Sequence, residues 1–285
     1  MNDTEQAYAA LEIRPVTPKI GAEISGVDLA EPSDVQLAGI RAAFDRHRVL
    51  VFRDQQLDRE AHKAFGRHFG ELQTHPAKTE LGLKGDPEIF DIRIGPETRV
   101  ANGETWHTDL SCEPVPPSAS ALYITETPPS GGGDTLFANM TDVFESLAEP
   151  VRKMLVGLTA FHSGEQDLRL YGVRLKPGQH YPSATHPVVI RHPRTSEPVL
   201  YVNEAFTESI DGLSKRESDA ILQLLFRTVE AHTRSHCRVQ WTPGTLVLWD
   251  NLGVHHHAVW DYWPERRNGE RVTAKAAAPP EAWSP

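Results

Sequence analysis

The sequence Trp106-His107-Thr108-Asp109 has a counterpart far downstream, Trp249-Asp250-Asn251-Leu252-Gly253-Val254-His255-His256-His257. Side chains alternate between the two faces of an extended strand, so we expect His107 and Asp109 to point to the same side. One histidine from the downstream stretch would complete a set of three ligands on one face of a metal ion. Two histidines and one carboxylate, with open positions opposite, suit non-haem Fe(II) that must also bind a cosubstrate and O2.

The surroundings of these residues strengthen the prediction of a metal site. A histidine-x-aspartate pair alone is weak evidence, because the chain has 14 histidines and most exposed histidines are only polar surface. Here the pair follows a tryptophan, and the histidine run follows an apolar strand candidate at 245–249. Two basic residues, Arg267 and Arg271, come next at fixed distances.

The composition argues against several classes of protein. The chain has 285 residues, of which 39% are hydrophobic, enough for a sizeable core. Its formal net charge of -10 gives no general attraction to nucleic acid or to anionic membranes. The two cysteines, Cys112 and Cys237, argue against a disulfide framework and against a cysteine-based zinc site. A polar N-terminus and the lack of a long apolar run predict a soluble cytoplasmic protein.

The order of the predicted elements favours a mainly β protein. Strand candidates lie at 12–30, Val49–Phe52, 89–92, 119–125, 188–190, 199–202, 238–241 and 245–249, and helix candidates at 33–47, 59–69, 140–147 and 149–158. The helices do not alternate regularly with the strands, which disfavours a doubly wound sheet. We expect a β-sandwich or jelly roll with helical decoration. It would form a single catalytic domain over residues 1–285, with its core at about 13–278.

Two long segments are candidate lids over the site. Residues 74–105 and 164–187 are polar, rich in glycine and proline and low in periodicity. Long segments of this kind are often active-site loops.

The clearest helix and the C-terminal tail complete the predicted structure. Ser214 and Glu217 form a capping-box pattern at the start of the helix. Its predicted apolar stripe consists of Ile221, Leu224, Leu225 and Val229. The tail from Ala276 is rich in alanine and proline, and we expect it to be poorly ordered.

Several motifs in a fixed order give the chain a resemblance to a known family. They are Phe69-Gly70-Glu71-Leu72 with His75-Pro76, Trp106-His107-Thr108-Asp109, Gly132-Gly133-Asp134-Thr135-Leu136, Val202-Asn203-Glu204-Ala205-Phe206-Thr207, and Trp249-Asp250-Asn251 through His256 to Arg267 and Arg271. With them the chain resembles the Fe(II)/2-oxoglutarate-dependent dioxygenases of the taurine dioxygenase and phenoxyacetate dioxygenase type. The resemblance implies a double-stranded β-helix, also called a jelly roll or cupin-like fold. It also implies the cofactors Fe(II), 2-oxoglutarate and O2, and the oxidation of a substrate C–H bond with formation of succinate and CO2.

The resemblance assigns the iron ligands to His107, Asp109 and His256. Strand alternation places His255 and His257 on one side and His256 on the other. Counting from Asp250-Asn251 in the family pattern selects His256. We interpret His255 and His257 as packing or supporting residues.

By the same resemblance, the arginine eleven residues beyond the distal histidine binds the far carboxylate of 2-oxoglutarate. That residue is Arg267 here, and a planar guanidinium binds a carboxylate through two hydrogen bonds. Thr135 resembles the hydroxyl that helps to hold the same carboxylate. Alternatively, Thr135 satisfies the backbone of the turn after the glycine run.

The substrate site is also carried over from the family pattern. Arg271, fifteen residues beyond the distal histidine, resembles the arginine that binds the acidic group of the substrate. His75 matches a second anion-contacting residue, and the backbone N–H of Leu110 is expected to complete the pocket. Phe206 resembles an apolar wall, although an ordinary core phenylalanine has the same sequence signature.

Two departures from the family pattern bear on the substrate. Taurine dioxygenase reads its substrate's amine with a tyrosine and an asparagine, where this chain has Lys78 and approximately Gly103. A lysine repels an ammonium group, so taurine is a poor first guess. We expect a small anionic substrate, such as a sulfonate, an alkyl sulfate or a carboxylate.

Two other functions stay open at the level of sequence. A metal-dependent hydrolase or isomerase could use the same barrel, because spacing does not identify the metal. A non-catalytic anion-binding protein could keep the fold. Arg267 at the cosubstrate position argues against a hydrolase or isomerase. The metal triad argues against a non-catalytic binding protein. The family resemblance also predicts a homo-oligomer, either a dimer or a tetramer.

Overall fold

A computed structural model describes residues 3–80, 84–100 and 103–285 of the chain. Its strands are β1 (Glu12–Pro15), β2 (Ala22–Ser25), β3 (Val49–Phe52), β4 (Phe90–Ile94), β5 (Pro117–Glu126), β6 (Thr135–Asn139), β7 (Thr159–Ser163), β8 (Ser183–Pro187), β9 (Val189–Arg191), β10 (Pro198–Leu200), β11 (Thr207–Ile210), β12 (His236–Val239), β13 (Thr245–Asp250), β14 (Val254–Ala258), β15 (Arg267–Lys275) and β16 (Glu281–Ala282). Its α-helices are α1 (Asp3–Ala9), α2 (Asp34–His47), α3 (Arg59–Arg67), α4 (Pro76–Glu80), α5 (Met140–Ser146), α6 (Glu149–Leu155), α7 (Glu165–Leu170) and α8 (Lys215–Ala231).

The strands form one large sheet and smaller ones, which confirms the prediction of a mainly β protein with helical decoration. The seven-stranded sheet has the order β1-β2-β3-β13-β5-β15-β4. Three-stranded sheets have the orders β12-β6-β14, β11-β7-β8 and β10-β9-β16. Nearly every pairing is antiparallel, and β2 with β3 is the parallel exception among the described strands. From β3 to β4, neighbours in the large sheet lie far apart in sequence, as expected of a β-barrel or sandwich.

The two faces of β13 separate two apolar layers. Leu246 and Leu248 pack with α2 and α3 on the outer face. Val247 and Trp249 pack on the inner face with Phe137 of β6. This alternation is the period-two pattern of a strand that is buried on both sides. Ser120 of β5 lies directly opposite Trp249, so it also points into the interior of the barrel.

Helix α8 confirms the capping-box prediction and corrects the predicted stripe. Ser214 and Glu217 make the reciprocal hydrogen bonds of a capping box. Leu225 and Val229 are buried as predicted, but Leu222 is also buried, whereas Leu224 is 48% exposed. The prediction for Leu224 was wrong because the buried face runs through 222, 225 and 229, the three- and four-residue spacing of one helix side.

The C-terminal tail is paired, so the expectation of poor order was wrong. β16 pairs with β9, and the N–H of Trp283 donates to the carbonyl of Val189 at 3.1 Å. The ring of Trp283 also packs on Phe144, with ring centroids 6.0 Å apart. Pairing of β16 with β9 and the packing of Trp283 order this tail, although its composition alone predicted disorder.

Both predicted lid segments contain regular structure. The first includes α4 and β4, while its residues 81–83 and 101–102 lie outside the described residues. The second includes α7 and β8. The single catalytic domain and the lid roles stay predictions. None of the described helices is long and apolar enough to cross a membrane.

A buried ion-pair network supports the end of β13. Asp250 is fully buried and accepts from Arg48 at 2.9 Å and from His192 at 2.7 Å, with Arg194 at 3.3 Å. Burial alone would raise the pKa of Asp250, but the charges of His192, Arg194 and Arg48 hold it well below its usual range. The network fixes the chain immediately before Asn251, whose side chain binds the backbone of Asp109.

Replacing this carboxylate tests the network. We expect Asp250→Asn to lower the free energy of unfolding by about 3 kcal/mol at pH 7, because buried cations lose their partner. The native pKa is depressed, so the contribution is fully present above the unfolded pKa of about 4. It falls by about 1.4 kcal/mol per unit as the pH drops below that value. Urea unfolding at a series of pH values measures both effects.

A surface pair provides the control. Asp219→Asn removes the partner of the exposed Lys215, 2.6 Å away. It should change stability by no more than about 0.5 kcal/mol, since solvent screens exposed pairs. Equal losses in the two variants would contradict a stabilising role for the network.

Candidate active site

Backbone pairing brings two histidines of the predicted triad together. The N–H of His107 donates to the carbonyl of His256 at 3.0 Å, and the reverse bond is 2.7 Å. The two rings lie 4.0 Å apart between centroids. His107 Nδ1 bonds to the carbonyl of Thr105 at 2.7 Å, which requires a proton on Nδ1 and leaves the Nε2 lone pair for a ligand.

The side chain of Asn251 makes two hydrogen bonds to the backbone of Asp109. Its Oδ1 accepts from the N–H of Asp109 at 2.9 Å, and its Nδ2 donates to the carbonyl of Asp109 at 3.0 Å. The hydroxyl of Thr108 donates to the Asn251 carbonyl. The side chain of Asp109 is held separately, because Ser120 Oγ donates to its Oδ2 at 3.0 Å. Hydrogen bonds therefore hold both the backbone and the side chain of Asp109.

The structure brings His107, Asp109 and His256 into one group that could hold a metal ion. Their ligand atoms all lie within 4.8 Å of one another. Asp109 Oδ1 is 4.0 Å from Nε2 of His107 and 3.9 Å from Nε2 of His256. Two imidazole nitrogens and one carboxylate oxygen, converging from one side, form a donor set that fits Fe(II).

The protonation states also fit a metal. Burial lowers the pKa of His107, and it lowers that of His256 well below its usual range, so both rings are neutral at pH 7. Burial alone would raise the pKa of Asp109, but the charge of Arg271 and the hydrogen bond from Ser120 hold it well below its usual range. A neutral imidazole and an ionised carboxylate are the forms that bind metals.

The open side of the triad faces a cavity of about 640 Å³. Apolar walls include Phe90, Leu110, Leu122 and Phe206. A cavity of this size is typical of small-molecule sites. Phe206 is buried and lines the cavity, so its position agrees with the predicted wall.

Arg267 and Thr135 meet at one wall of this cavity. The Arg267 guanidinium lies over the ring of Trp241, 5.3 Å from its centroid. The indole N–H of Trp241 donates to the Thr135 hydroxyl at 3.0 Å. Within the described residues, the buried Nε of Arg267 has no hydrogen-bond partner. Burial lowers the pKa of this arginine although Tyr262 and Asp134 oppose the shift, as expected of a desolvated cation that can take an anion.

Arg271 and His75 lie in another part of the cavity wall. Arg271 Nη1 pairs with Asp109 Oδ1 at 2.7 Å, and its guanidinium lies over Phe90. The His75 ring packs on Phe90 and Tyr171. Burial, together with the charge of Arg271, lowers the pKa of His75 to about 3, so this ring is neutral at pH 7. The predicted substrate residues are therefore close together, and Leu110 lines the same cavity.

The neighbouring histidines contribute no atom to the metal-binding group. His255 is buried on the other face of β14, and His257 packs its ring on Trp106 with centroids 5.6 Å apart. This arrangement is the strand alternation that the sequence predicted.

The departures at Lys78 and Gly103 have structural reasons. Lys78 lines the cavity, but its ammonium donates to the carbonyls of Asp86 and Ile89. Gly103 has φ +91°, and a Cβ there would lie 3.3 Å from Cε1 of His107. Lys78 therefore joins parts of the first predicted lid segment, and glycine at 103 leaves room for the ring of His107.

Sequence reasoning missed the supporting residues of the site. It used Asn251 only as a motif position, and it named neither Ser120 nor Trp241 as part of the site. Asn251 is fully buried between two backbone segments, and such a role depends on tertiary contacts. Ser118 and Ser120 precede four apolar residues, 121–124, in the same buried strand, and this contrast was the available signal for Ser120.

The fold and the triad together define a class of protein. A β-barrel with two histidines and one carboxylate open to a cavity is the frame of non-haem iron oxygenases, and a buried arginine beside the open side suits a carboxylate cosubstrate. The family model described as "Taurine catabolism dioxygenase TauD, TfdA family" matches residues 12–273. The chain belongs to this family, and its cofactors are Fe(II), 2-oxoglutarate and O2.

Similar proteins agree with this assignment. An alpha-ketoglutarate-dependent sulfonate dioxygenase of Saccharomyces cerevisiae is 35% identical over 95% of this chain and 68% of its own length. An alpha-ketoglutarate-dependent sulfate ester dioxygenase of Pseudomonas putida is 34% identical over 94% of this chain and 91% of its own. The crystal structure of a taurine dioxygenase from Burkholderia xenovorans is 34% identical, with a TM-score of 0.79, and the match covers 95% of this chain and 91% of that one. These relatives support the dioxygenase and its jelly-roll fold, and they give no support to the hydrolase, isomerase or binding-protein alternatives.

A single substitution tests the triad. We expect His107→Ala to lower the affinity for Fe(II) more than about tenfold, since removing a ligand is at least as severe as removing its supporting partner. Iron content after anaerobic loading measures this effect, and far-ultraviolet circular dichroism checks the fold. His257→Ala is the matched control, because it removes a neighbouring imidazole outside the triad. Equal iron content in the two variants would refute the assignment of His107 as a ligand.

Proposed function

We propose that the enzyme oxidises a C–H bond of a small anionic substrate, with His107, Asp109 and His256 as iron ligands. Arg267 and Thr135 would bind the far carboxylate of 2-oxoglutarate. Arg271, His75 and the backbone N–H of Leu110 would bind the acidic group of the substrate, and Phe206 would form an apolar wall.

The arrangement of the two arginines supports the proposal most strongly. Arg267 and Arg271 lie four residues apart on β15, so they share one face of the strand. Both are buried and both line the cavity beside the triad. A buried cation without an anion is costly. Arg267 has no ion-pair partner within the described residues, and Arg271 pairs with Asp109, a carboxylate that a bound metal would share. Two buried cations beside one metal site therefore support two anionic ligands, a cosubstrate and a substrate.

The chain's own residues would bind, orient and exclude water. When bound, Fe(II) and 2-oxoglutarate supply the activation of O2 and the oxidation of the C–H bond, with formation of succinate and CO2. Arg267 would fix the direction of the cosubstrate through paired N–H donors. Arg271 can keep its contact with Asp109 through Nη1 while its other donors bind the substrate; its buried Nε has no partner in the described part of the chain. Fixed geometry of this kind accelerates a reaction by pre-orienting the partners.

The substrate class follows from the anion site and from similar proteins. Relatives carry the names sulfonate dioxygenase, sulfate ester dioxygenase and (S)-phenoxypropionate dioxygenase. We propose a sulfonate, an alkyl sulfate or a carboxylate for this chain, and not a nucleic acid or a membrane. A cytoplasmic location and a homo-oligomer, either a dimer or a tetramer, stay part of the proposal.

Substitution of the two arginines separates their roles. We expect Arg267→Ala to weaken 2-oxoglutarate binding about 100-fold and Arg271→Ala to weaken substrate binding about 100-fold, because each leaves one anion without its partner. Anaerobic titration of Fe(II)-loaded protein, monitored by the visible charge-transfer absorption, measures cosubstrate binding first and substrate binding second. Succinate formed in air measures turnover.

The neighbouring Arg266 provides the control. It is exposed, so Arg266→Ala should leave both affinities within a factor of three. Loss of cosubstrate affinity in Arg271→Ala with retention in Arg267→Ala would mean that the two roles are exchanged. Absence of succinate with every anionic substrate, in iron-loaded protein, would overturn the proposed function.

A further inference from the structure

Asp167 is a carboxylic acid of the second lid segment that neither the metal site nor the anion site accounts for. It lies on α7, which Leu168 anchors: this leucine is 1% exposed and packs with Val173. Asp167 lines the same cavity as Arg271 and the triad, and so does the next apolar lid residue, Leu170. The helix therefore presents an acidic side chain to the space that the substrate would occupy.

The carboxyl group of Asp167 lies within electrostatic range of the reacting region. Burial, together with the charge of Asp109, raises its pKa to about 7 against the opposing charge of Arg271. In the described ranges 3–80, 84–100 and 103–285, no hydrogen bond or ion pair is found for this carboxyl group. A metal ion on Asp109 would cancel the repulsion from that residue and favour the ionised form of Asp167.

The other charged groups that line the cavity are paired, exposed or on the wall proposed for the cosubstrate. Lys78 and Arg93 lie 3.7 Å and 3.5 Å from the carboxylate of Asp91. Lys84 is exposed, and Arg267 lies beside Trp241 on the wall proposed for the cosubstrate. Among the described residues that line the cavity near Arg271, the carboxyl group of Asp167 is thus the acidic group that lacks a partner.

We propose that Asp167 is a specificity-determining residue that disfavours a second anionic group on the substrate and favours a hydrogen-bond donor at that position. This inference rests on the proposed function, since it needs the acidic head of the substrate on Arg271. Because Asp167 lines the same cavity as Arg271 and the triad, we place its carboxylate beside the chain of a substrate whose head is held on Arg271. A second carboxylate on that chain would meet a like charge in a partly desolvated space, whereas a hydroxyl group would donate to it.

Three sulfonates of similar size provide the test. Butanesulfonate carries an uncharged apolar end, 3-hydroxypropanesulfonate carries a donor, and 3-sulfopropanoate carries a second anion. Calorimetric titration at pH 8 into anaerobic protein loaded with Fe(II) and 2-oxoglutarate measures their dissociation constants without turnover. We expect the hydroxylated probe to bind tightest and the dianion to bind at least tenfold more weakly than butanesulfonate.

The Asp167→Asn variant tests whether this residue causes the ranking. It should bind the dianion about tenfold more tightly than the wild-type protein does, because an amide removes the charge and can itself donate. Its affinity for butanesulfonate should stay within a factor of three. Glu165→Gln is the matched control: it removes a charge from the same helix, where Glu165 pairs with Arg169 outside the cavity lining. This variant should keep the wild-type ranking.

The possible outcomes distinguish failure of the inference alone from failure of the proposed function. Equal affinities of the wild-type protein for the three probes would overturn the inference and leave the proposed function standing. Uniform weakening of all probes in Asp167→Asn would also overturn it, since Asp167 would then only orient Arg271. Failure of all three probes to bind the wild-type protein, with none forming succinate, would count against the proposed function and the inference together.

Discussion

Two backbone hydrogen bonds between His107 and His256 are the constraint on which the rest of the site depends. They join segments that are distant in sequence and set two imidazole rings side by side. His256 lies on β14, and this strand pairs with β6, which begins at Thr135. Thr135 in turn contacts Trp241, the platform beneath Arg267. The proposed metal and cosubstrate positions are thus linked by rigid strand pairing, and donor geometry is held more closely on strands than on loops.

A second constraint is the negative charge of Asp109, a buried residue. Arg271, Ser120 and the two histidine rings surround it, and Asn251 binds its backbone. Because Arg271 contacts Asp109 and lines the cavity, the electrostatics of the metal position and of the proposed anion position form one system. A change at either position alters the field at the other. The Asp250 network behind Asn251 supports this system from the opposite side.

Local signals in the sequence predicted much of the structure. The apolar run Val49–Phe52 is a strand with the same bounds, and the capping box at Ser214 begins the longest described helix. The pair His107 and Asp109 was visible because ligand types at strand spacing form a local pattern, whereas the choice of His256 depended on the family resemblance. Strands β7 and β11 were missed because they carry few apolar alternations, and their formation depends on pairing with each other. The clamp by Asn251 and the position of Asp167 likewise depend on distant segments that no local pattern reveals.

The placement of both arginines on one strand has a consequence for where a substrate is oxidised. Four residues of extended chain span about 13 Å, and β15 is paired on both sides, with β5 and with β4. On the proposed assignment, this strand sets a fixed distance between the carboxylate of the cosubstrate and the acidic head of the substrate. Lengthening a substrate by one methylene would leave its head in place and bring a different carbon to the reacting position. The number of bonds from the head, rather than the chemistry of the anion, would then set the site of oxidation.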